Sequence, residues 1–200
     1  MRKLVVCCFA LAAWAAFIFF MSANDGDAST GLSDGVIVWL ANAFWSGYQG
    51  LSPADQLAFV ESLSFPVRKL AHFSEYAVLG LLAFATFHQT GNVRKEKQAS
   101  VIRPAETAVY GSASSSGATA PASHAPRSRV TQPAPRAPRA LLRQAAFAVV
   151  LSFLYACLDE FHQLFVAGRC GQPFDVGVDT SGALVAVVVA FAIARRRMGE

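Results

Sequence analysis

Four long apolar segments most constrain how this chain can fold. They are Leu4 to Met21, Val67 to Phe87, Leu141 to Leu158 and Val176 to Ala194. Each is close to the roughly 20 residues that a helix needs to cross a bilayer. The chain is 54% hydrophobic and only 15% charged, which is unlike an ordinary soluble domain. The sequence therefore predicts an all-α protein, a four-helix transmembrane bundle forming one domain over residues 1–200.

The first apolar segment has a second interpretation. It follows Arg2 and Lys3, as the apolar region of a cleaved signal peptide would. Its run of apolar residues is longer than that of a usual signal peptide, and no clear cleavage site follows it. We therefore expect a transmembrane anchor here.

The basic residues are distributed unevenly around the four segments. Of the 17 Lys and Arg residues, nine lie between the second segment and the start of the third, the last of them being Arg143; two precede the first segment and three follow the fourth. Four spans place these three regions on one side, which the positive-inside rule makes cytoplasmic. We expect a multi-pass protein of the bacterial cytoplasmic membrane, with both termini and the 91–139 loop in the cytoplasm. Three basic residues then remain for the outer side: Arg68, Lys69 and Arg169.

The region between the first two spans carries helix signals of its own. Ser33 can cap a helix whose apolar residues follow at helical spacing, and Pro53 suits the first position of another. Trp39 in the same region suits the headgroup level. We expect short outer amphipathic helices, lying on the membrane surface or packed on the outer ends of the bundle, with the second span opening at Pro66.

The segment from about residue 91 to 139 differs in composition from the rest. It holds six of the nine prolines and is rich in Ser and Arg. It has few bulky apolar residues and cannot build a core, so we predict a disordered cytoplasmic loop that interrupts the domain. A topogenic linker is the simplest role, and contact of its basic residues with anionic lipid is the alternative.

Polar residues recur at helical spacing near the outer ends of the last three spans. The stripes are Arg68, His72 and Glu75; Asp159, His162 and Gln163; and Asp175 and Asp179. Small residues at Gly182 and Ala183 allow a neighbouring helix to approach. Ionisable groups inside a membrane are costly and are retained where they have partners or a task. We therefore expect an outer-leaflet polar cavity, which either serves a function or only locks the helices together.

Two stretches resemble the signatures of VanZ-like membrane proteins. The first runs from Arg68 to Gly80; the second comprises Asp159-Glu160-Phe161-His162-Gln163, Gly168-Arg169, Asp175 and Asp179-Thr180-Ser181-Gly182. The resemblance covers nearly the whole chain except residues 91–139 and implies a single VanZ-like membrane domain. It also implies that the polar residues at matching positions form the functional core: Arg68, Lys69, His72, Glu75, Tyr76, Asp159, Glu160, His162, Gln163, Arg169, Asp175 and Asp179.

Three classes of function stay open. The resembled family is named for a member giving low-level resistance to teicoplanin, which implies a cell-envelope protein with an expected contribution to antibiotic resistance. In the first class, the cavity binds a headgroup, a lipid-linked wall precursor or a glycopeptide. The phosphate of such a ligand would be bound by Arg68, Lys69 and Arg169. In the second, an intramembrane hydrolase or transferase uses His72 or His162 as its general base. The third is a small oligomeric transporter or assembly factor.

The sequence favours the non-enzymatic class because it contains no nucleophile elbow, HExxH or other paired metal-ligand motif. Asp159, Glu160 and His162 offer carboxylate and imidazole groups, but their spacing is not that of a recognised site, so no metal is predicted. The cofactor is unknown. The expected partners are the lipid bilayer and a lipid-linked wall precursor or glycopeptide, with no nucleic acid; the oligomeric state stays open. Cys170 is expected outside the membrane.

Overall fold

The computed structural model describes residues 1–24, 26–112 and 137–199. Over these ranges the chain forms five α-helices and a short 3-10 helix (Tyr48–Gly50). The α-helices are α1 (Arg2–Ser22), α2 (Gly26–Phe44), α3 (Pro53–Ser112), α4 (Ala137–Gln163) and α5 (Pro173–Gly199). Four of them, α1, α3, α4 and α5, are long and apolar enough to cross a membrane. The prediction of an all-α bundle with four transmembrane helices is therefore confirmed.

The bundle is organised around α3, α4 and α5, which pack against one another, while α1 and α2 pack chiefly against α3. One apolar cluster joins α3, α4 and α5 through Phe84, Leu141 and Val187. A second joins α1 to the bundle around Ile18 and Leu79. Large apolar side chains remain exposed on all four long helices, as expected for surfaces that contact lipid.

α3 and α5 approach each other backbone to backbone. A Cβ atom added at Gly182 would overlap the carbonyl oxygen of Phe73 on α3. On the facing surface, a Cβ added at Gly80 would lie 3.0 Å from backbone atoms of Ala183. The small residues predicted at the outer end of the last span therefore mark a tight helix crossing, which holds the polar residues of α3 and α5 side by side.

The region before the second span differs from its prediction. α2 begins at Gly26 rather than after a cap at Ser33, and α3 begins at Pro53 and continues through Pro66. The helix start predicted at Pro53 is therefore confirmed, whereas the predicted start of the second span at Pro66 is wrong, because one helix runs through both. A proline inside a helix costs about 3 kcal/mol. Contacts from α2 hold α3 on both sides of Pro66, because Ser64 pairs with Asp34 and Arg68 with Thr30.

The helix α3 also ends later than predicted. It extends to Ser112, and α4 begins at Ala137, so residues 91–112 and 137–139 of the predicted disordered loop are helical. Arg, Lys, Glu, Gln and Ala dominate residues 94–99, and these are among the strongest helix formers. The prediction of disorder for residues 113–136 lies outside the described residues.

Candidate functional site

The polar residues singled out in the sequence gather at one end of the bundle, which we call the polar end. It is the end where α1 finishes at Ser22, α4 finishes at Gln163 and α5 begins at Pro173. α3 passes through it with residues 68–76. The carboxylates Asp159, Glu160, Asp175 and Asp179 are all buried there.

A cavity of about 190 Å³ opens at the polar end. Its polar lining is Arg68, His72, Glu75, Asp159 and Arg169, together with Ser22 and Ser33. Apolar residues of α1, α2 and α3 complete its wall. Two guanidinium groups, an imidazole and two carboxylates thus share one small space whose remaining surface is largely apolar.

Arg169 reaches this cavity from the connection between α4 and α5. The preceding Gly168 adopts a positive φ of 69°, a conformation that side chains disfavour, and it turns the chain back after α4. The Arg169 guanidinium donates from Nε to the Asn24 carbonyl oxygen at 3.0 Å and from Nη2 to that of Met21 at 3.4 Å. It therefore satisfies carbonyl groups at the C-terminal end of α1, where a cation is favoured.

Burial lowers the pKa of the Arg169 guanidinium below its ordinary value, and the positive charge of Arg68 lowers it further. The negative charges of Asp159, Glu160 and Glu75 act in the opposite direction. The two guanidinium groups therefore share the cavity with carboxylates, and Arg169 is influenced by charges of both signs.

Arg68 stands on the other side of the same space. Its Nη2 donates to Thr30 Oγ1 at 2.5 Å, which ties α3 to α2. Its Nε is buried and has no hydrogen-bond partner within the described part of the chain. Buried donors of this kind are rare in folded proteins and call for an explanation such as a ligand or water.

Three carboxylates form a separate cluster beside the cavity. Asp159, Glu160 and Asp179 are 3%, 6% and 0% exposed. One oxygen atom of each lies within 4.8 Å of the others. Asp159 also lines the cavity, so it joins the cluster to the space that the arginines face.

His72 connects the cavity to this cluster. Its Nδ1 lies 3.4 Å from Asp179 Oδ1, which is an ion-pair distance without good hydrogen-bond geometry. Glu75 lies one turn further along the same face of α3 and also lines the cavity. Its backbone carbonyl oxygen accepts a hydrogen bond of 2.9 Å from Trp14 Nε1, which fixes α1 against α3.

Other predicted site residues have different surroundings. Lys69 pairs with Asp175, and its ammonium group lies 5.1 Å from the ring centre of Phe65. The His162 ring packs on the Phe19 ring with centroids 4.4 Å apart and does not line the cavity. Gln163 donates from Nε2 to Asp159 Oδ2 at 3.3 Å.

Tyr76 is fully buried, and its hydroxyl has no hydrogen-bond partner among the described residues. The phenol interacts electrostatically with all three carboxylates of the cluster. The family resemblance implied a place for Tyr76 in the functional core, and the structure buries it next to this cluster.

Several residues of the site were missed by sequence reasoning. Thr30 and Leu32 come from α2, whose first turns had the composition of a loop. The backbone N–H of Gln172 donates to Glu160 Oε2 at 2.7 Å. Contacts of this kind depend on how segments meet in space, and no local pattern in the sequence signals them.

Four apolar helices around a buried polar site define a multi-pass membrane protein. The model of the VanZ/LLP1 family matches residues 7–195, nearly the whole chain, so the protein belongs to the VanZ/LLP1 family. The predicted family resemblance is thereby confirmed. No curated protein and no solved structure matched the chain in the corresponding comparisons.

Proposed function

We propose that this VanZ/LLP1 protein is a cell-envelope protein whose polar cavity binds the anionic headgroup of a membrane lipid or of a lipid-linked wall precursor. The observation that carries the proposal is the pair of guanidinium groups, Arg68 and Arg169, that line one cavity in which Arg68 Nε has no hydrogen-bond partner among the described residues. Arginine recognises phosphate through several donors in a fixed plane, so two arginines suit a phosphate or diphosphate.

The unused donors of the cavity support a ligand over a purely internal network. Arg68 Nε is buried and unpartnered within the described residues, although carboxylates lie nearby. A network that only locks helices would be expected to satisfy its own buried donors. The carbonyl contacts of Arg169 orient its guanidinium while leaving its charge uncompensated by any described ion pair.

The size of the cavity selects among the anionic ligands. Its volume of about 190 Å³ lies below the roughly 300–1,000 Å³ of pockets that enclose drug-sized molecules. A headgroup phosphate is small enough to enter it, whereas a whole glycopeptide is not. A contribution to teicoplanin-type resistance would then act through the lipid-linked precursor.

The test is lipid binding by the purified full-length protein in nanodiscs. Undecaprenyl phosphate and diphosphate are the probes, with native mass spectrometry as the readout. Arg68→Gln and Arg169→Gln should each weaken binding at least about tenfold, since hydrogen bonds to charged groups contribute about 1.5–3 kcal/mol. Arg197→Gln, at an exposed position near the end of α5, is the matched control and should bind like the parent protein.

Equal binding by the parent and both arginine variants would overturn the proposal. The same protein and lipids also test the enzymatic alternative. This alternative is favoured by His72, which lines the cavity and lies beside Asp179. Release of inorganic phosphate from the lipid that is lost in His72→Gln would assign hydrolysis, with His72 as the base.

We also propose that the polar end faces the outside of the cytoplasmic membrane, with both termini and the 91–139 loop in the cytoplasm. The distribution of basic residues supports this orientation. Cys170 is an exposed free cysteine between α4 and α5. In a variant with Cys7, Cys8 and Cys157 replaced by Ala, a membrane-impermeant maleimide should label Cys170 in intact cells. A control variant, in which all four cysteines are replaced and Ser100→Cys is the single cysteine, should be labelled only after the cells are lysed. The reverse pattern would show the opposite orientation.

A further inference from the structure

The three carboxylates beside the cavity share a pattern that headgroup binding does not use. Two of them have one oxygen held by a hydrogen bond: Asp159 Oδ2 accepts from Gln163, and Glu160 Oε2 accepts from the N–H of Gln172. Asp179 Oδ1 lies 3.4 Å from His72 Nδ1. Asp159 Oδ1, Glu160 Oε1 and both oxygens of Asp179 are buried and have no hydrogen-bond partner among the described residues.

Carboxylates that bind metal ions are commonly arranged in this way. Partners on one oxygen fix the orientation of the group, and the other oxygen is left for the ion. One oxygen from each of the three residues lies within 4.8 Å of the others, so the three groups converge. We propose that Asp159, Glu160 and Asp179 form a binding site for one hard divalent cation of the Ca²⁺ and Mg²⁺ class.

A second observation points to the same place. Tyr76 is completely buried, its hydroxyl has no hydrogen-bond partner among the described residues, and it interacts electrostatically with all three carboxylates. A neutral phenol does not neutralise carboxylates, but it can donate to a water molecule bound to an ion. Three protein oxygens leave several positions of a six- to eight-coordinate cation for such water.

The charge of the polar end agrees with a divalent occupant. Five carboxylates, Glu75, Asp159, Glu160, Asp175 and Asp179, face three permanent cations, Arg68, Lys69 and Arg169. With His72 and His162 neutral, two negative charges remain. Lys69 is already paired with Asp175, and Arg169 donates its hydrogen bonds to backbone carbonyls of α1, so neither side chain donates a hydrogen bond to the cluster among the described contacts. One divalent cation balances the set.

The donor type and the span indicate which cation. All three donors are carboxylate oxygens, which suit Ca²⁺, Mg²⁺ and Mn²⁺ better than Zn²⁺. Two oxygens on one ion lie at most twice the metal–oxygen bond apart, which is about 4.6–5.2 Å for Ca²⁺ and about 4.0–4.2 Å for Mg²⁺. A span of up to 4.8 Å is within the limit for Ca²⁺. The arrangement is therefore compatible with Ca²⁺, whose longer bonds to oxygen reach across this limit.

The site does not depend on the proposed headgroup binding, because its ligands are separate from the two arginines. A cation there would lie next to the cavity through Asp159 and would add a positive group for an anionic headgroup. Metal binding and lipid binding are measured separately, so either one can fail while the other stands.

The test uses the purified full-length protein, stripped with EDTA and exchanged into detergent without added lipid. CaCl₂, MgCl₂ and TbCl₃ are the probes. We expect one metal ion per chain by elemental analysis, a rise in the melting temperature with CaCl₂ that exceeds the rise with MgCl₂, and Tb³⁺ luminescence excited through Tyr76. Ca²⁺ should displace Tb³⁺ and quench this luminescence.

Asp179→Asn and Glu160→Gln should each lower metal affinity at least about tenfold, and Tyr76→Phe should reduce the Tb³⁺ signal more than it reduces stoichiometry. Glu61→Gln, an exposed carboxylate on α3, is the matched control and should bind like the parent. Circular dichroism checks that each variant is helical. No metal retention and no thermal shift in the parent protein, or equal binding by the parent and both carboxylate variants, would overturn the proposal.

Discussion

The two ends of the bundle are built from the same helices and differ in what they bury. At the end away from the cavity, α3, α4 and α5 meet through apolar residues such as Ala83, Ala148 and Val187. At the polar end, the same helices enclose buried carboxylates, and every buried carboxylate among the described residues lies there. The apolar end shows that these helices associate mainly through apolar contacts. That association does not need the carboxylates of the polar end, and ionisable groups inside a membrane commonly have partners or a functional role.

The contrast also shows how the polar end is held together. The apolar end interlocks side chains, whereas the polar end brings the α3 and α5 backbones into contact at Gly182. This backbone contact holds α3 and α5 together close to His72 and Asp179. The polar groups thus depend on a small residue that carries no chemistry of its own.

Among the substitutions that test this difference between the two ends, Gly182→Ala should have the largest effect on stability. Its Cβ would overlap the Phe73 carbonyl oxygen, which is backbone and cannot rotate away. Overpacking of this kind lowers the free energy of unfolding by about 2–3 kcal/mol. Thermal unfolding in detergent, followed by tryptophan fluorescence, measures the change, and lipid binding at the polar end should fall with it.

Gly177→Ala on the same helix is the matched control. Nothing lies within 4 Å of a Cβ added there, so the change should leave stability unchanged or raise it by up to about 1 kcal/mol. Similar melting temperatures for the two variants would show that backbone contact does not hold the polar end.

The sequence predicted features that repeat along one helix, and it did not predict contacts between helices. The four spans follow from hydrophobic length, and the stripe of Arg68, His72 and Glu75 follows from helical spacing. The continuation of α3 through Pro66 did not follow, because the local signal for a break was overridden by packing of α2 on both sides. Local propensity is a weak guide wherever tertiary contacts are made.

The same limit applies inside the site. Helical spacing put Asp159 and His162 on one face of α4, but it did not show that His162 packs on Phe19 while Asp159 turns to Asp179 of another helix. The grouping of Asp159, Glu160 and Asp179 joins residues from two helices. It required the crossing of α4 and α5, which no pattern within either segment specifies.

A smaller effect, of unusual sign, is expected from Asp159→Asn in the presence of EDTA. Burying a carboxylate without a counter-ion costs more free energy than burying a neutral amide of the same shape. Asp159 is 3% exposed and belongs to a cluster of three carboxylates. We expect the metal-free variant to be more stable than the metal-free parent by about 1 kcal/mol, because the amide removes one of three neighbouring acidic groups.

The control lies on the same helix at the other end, where Gln144 Oε1 contacts His88 Nδ1 at 3.1 Å. Gln144→Leu removes one side of this single contact between polar side chains. It should lower the free energy of unfolding by about 0.6 kcal/mol, the typical contribution of such contacts between membrane helices. If the changes in the free energy of unfolding have opposite signs for the two variants, the carboxylate at the polar end lowers the stability of the metal-free protein. If Asp159→Asn is instead less stable than the parent in EDTA, that carboxylate stabilises the fold, and the polar groups at both ends then have a structural role.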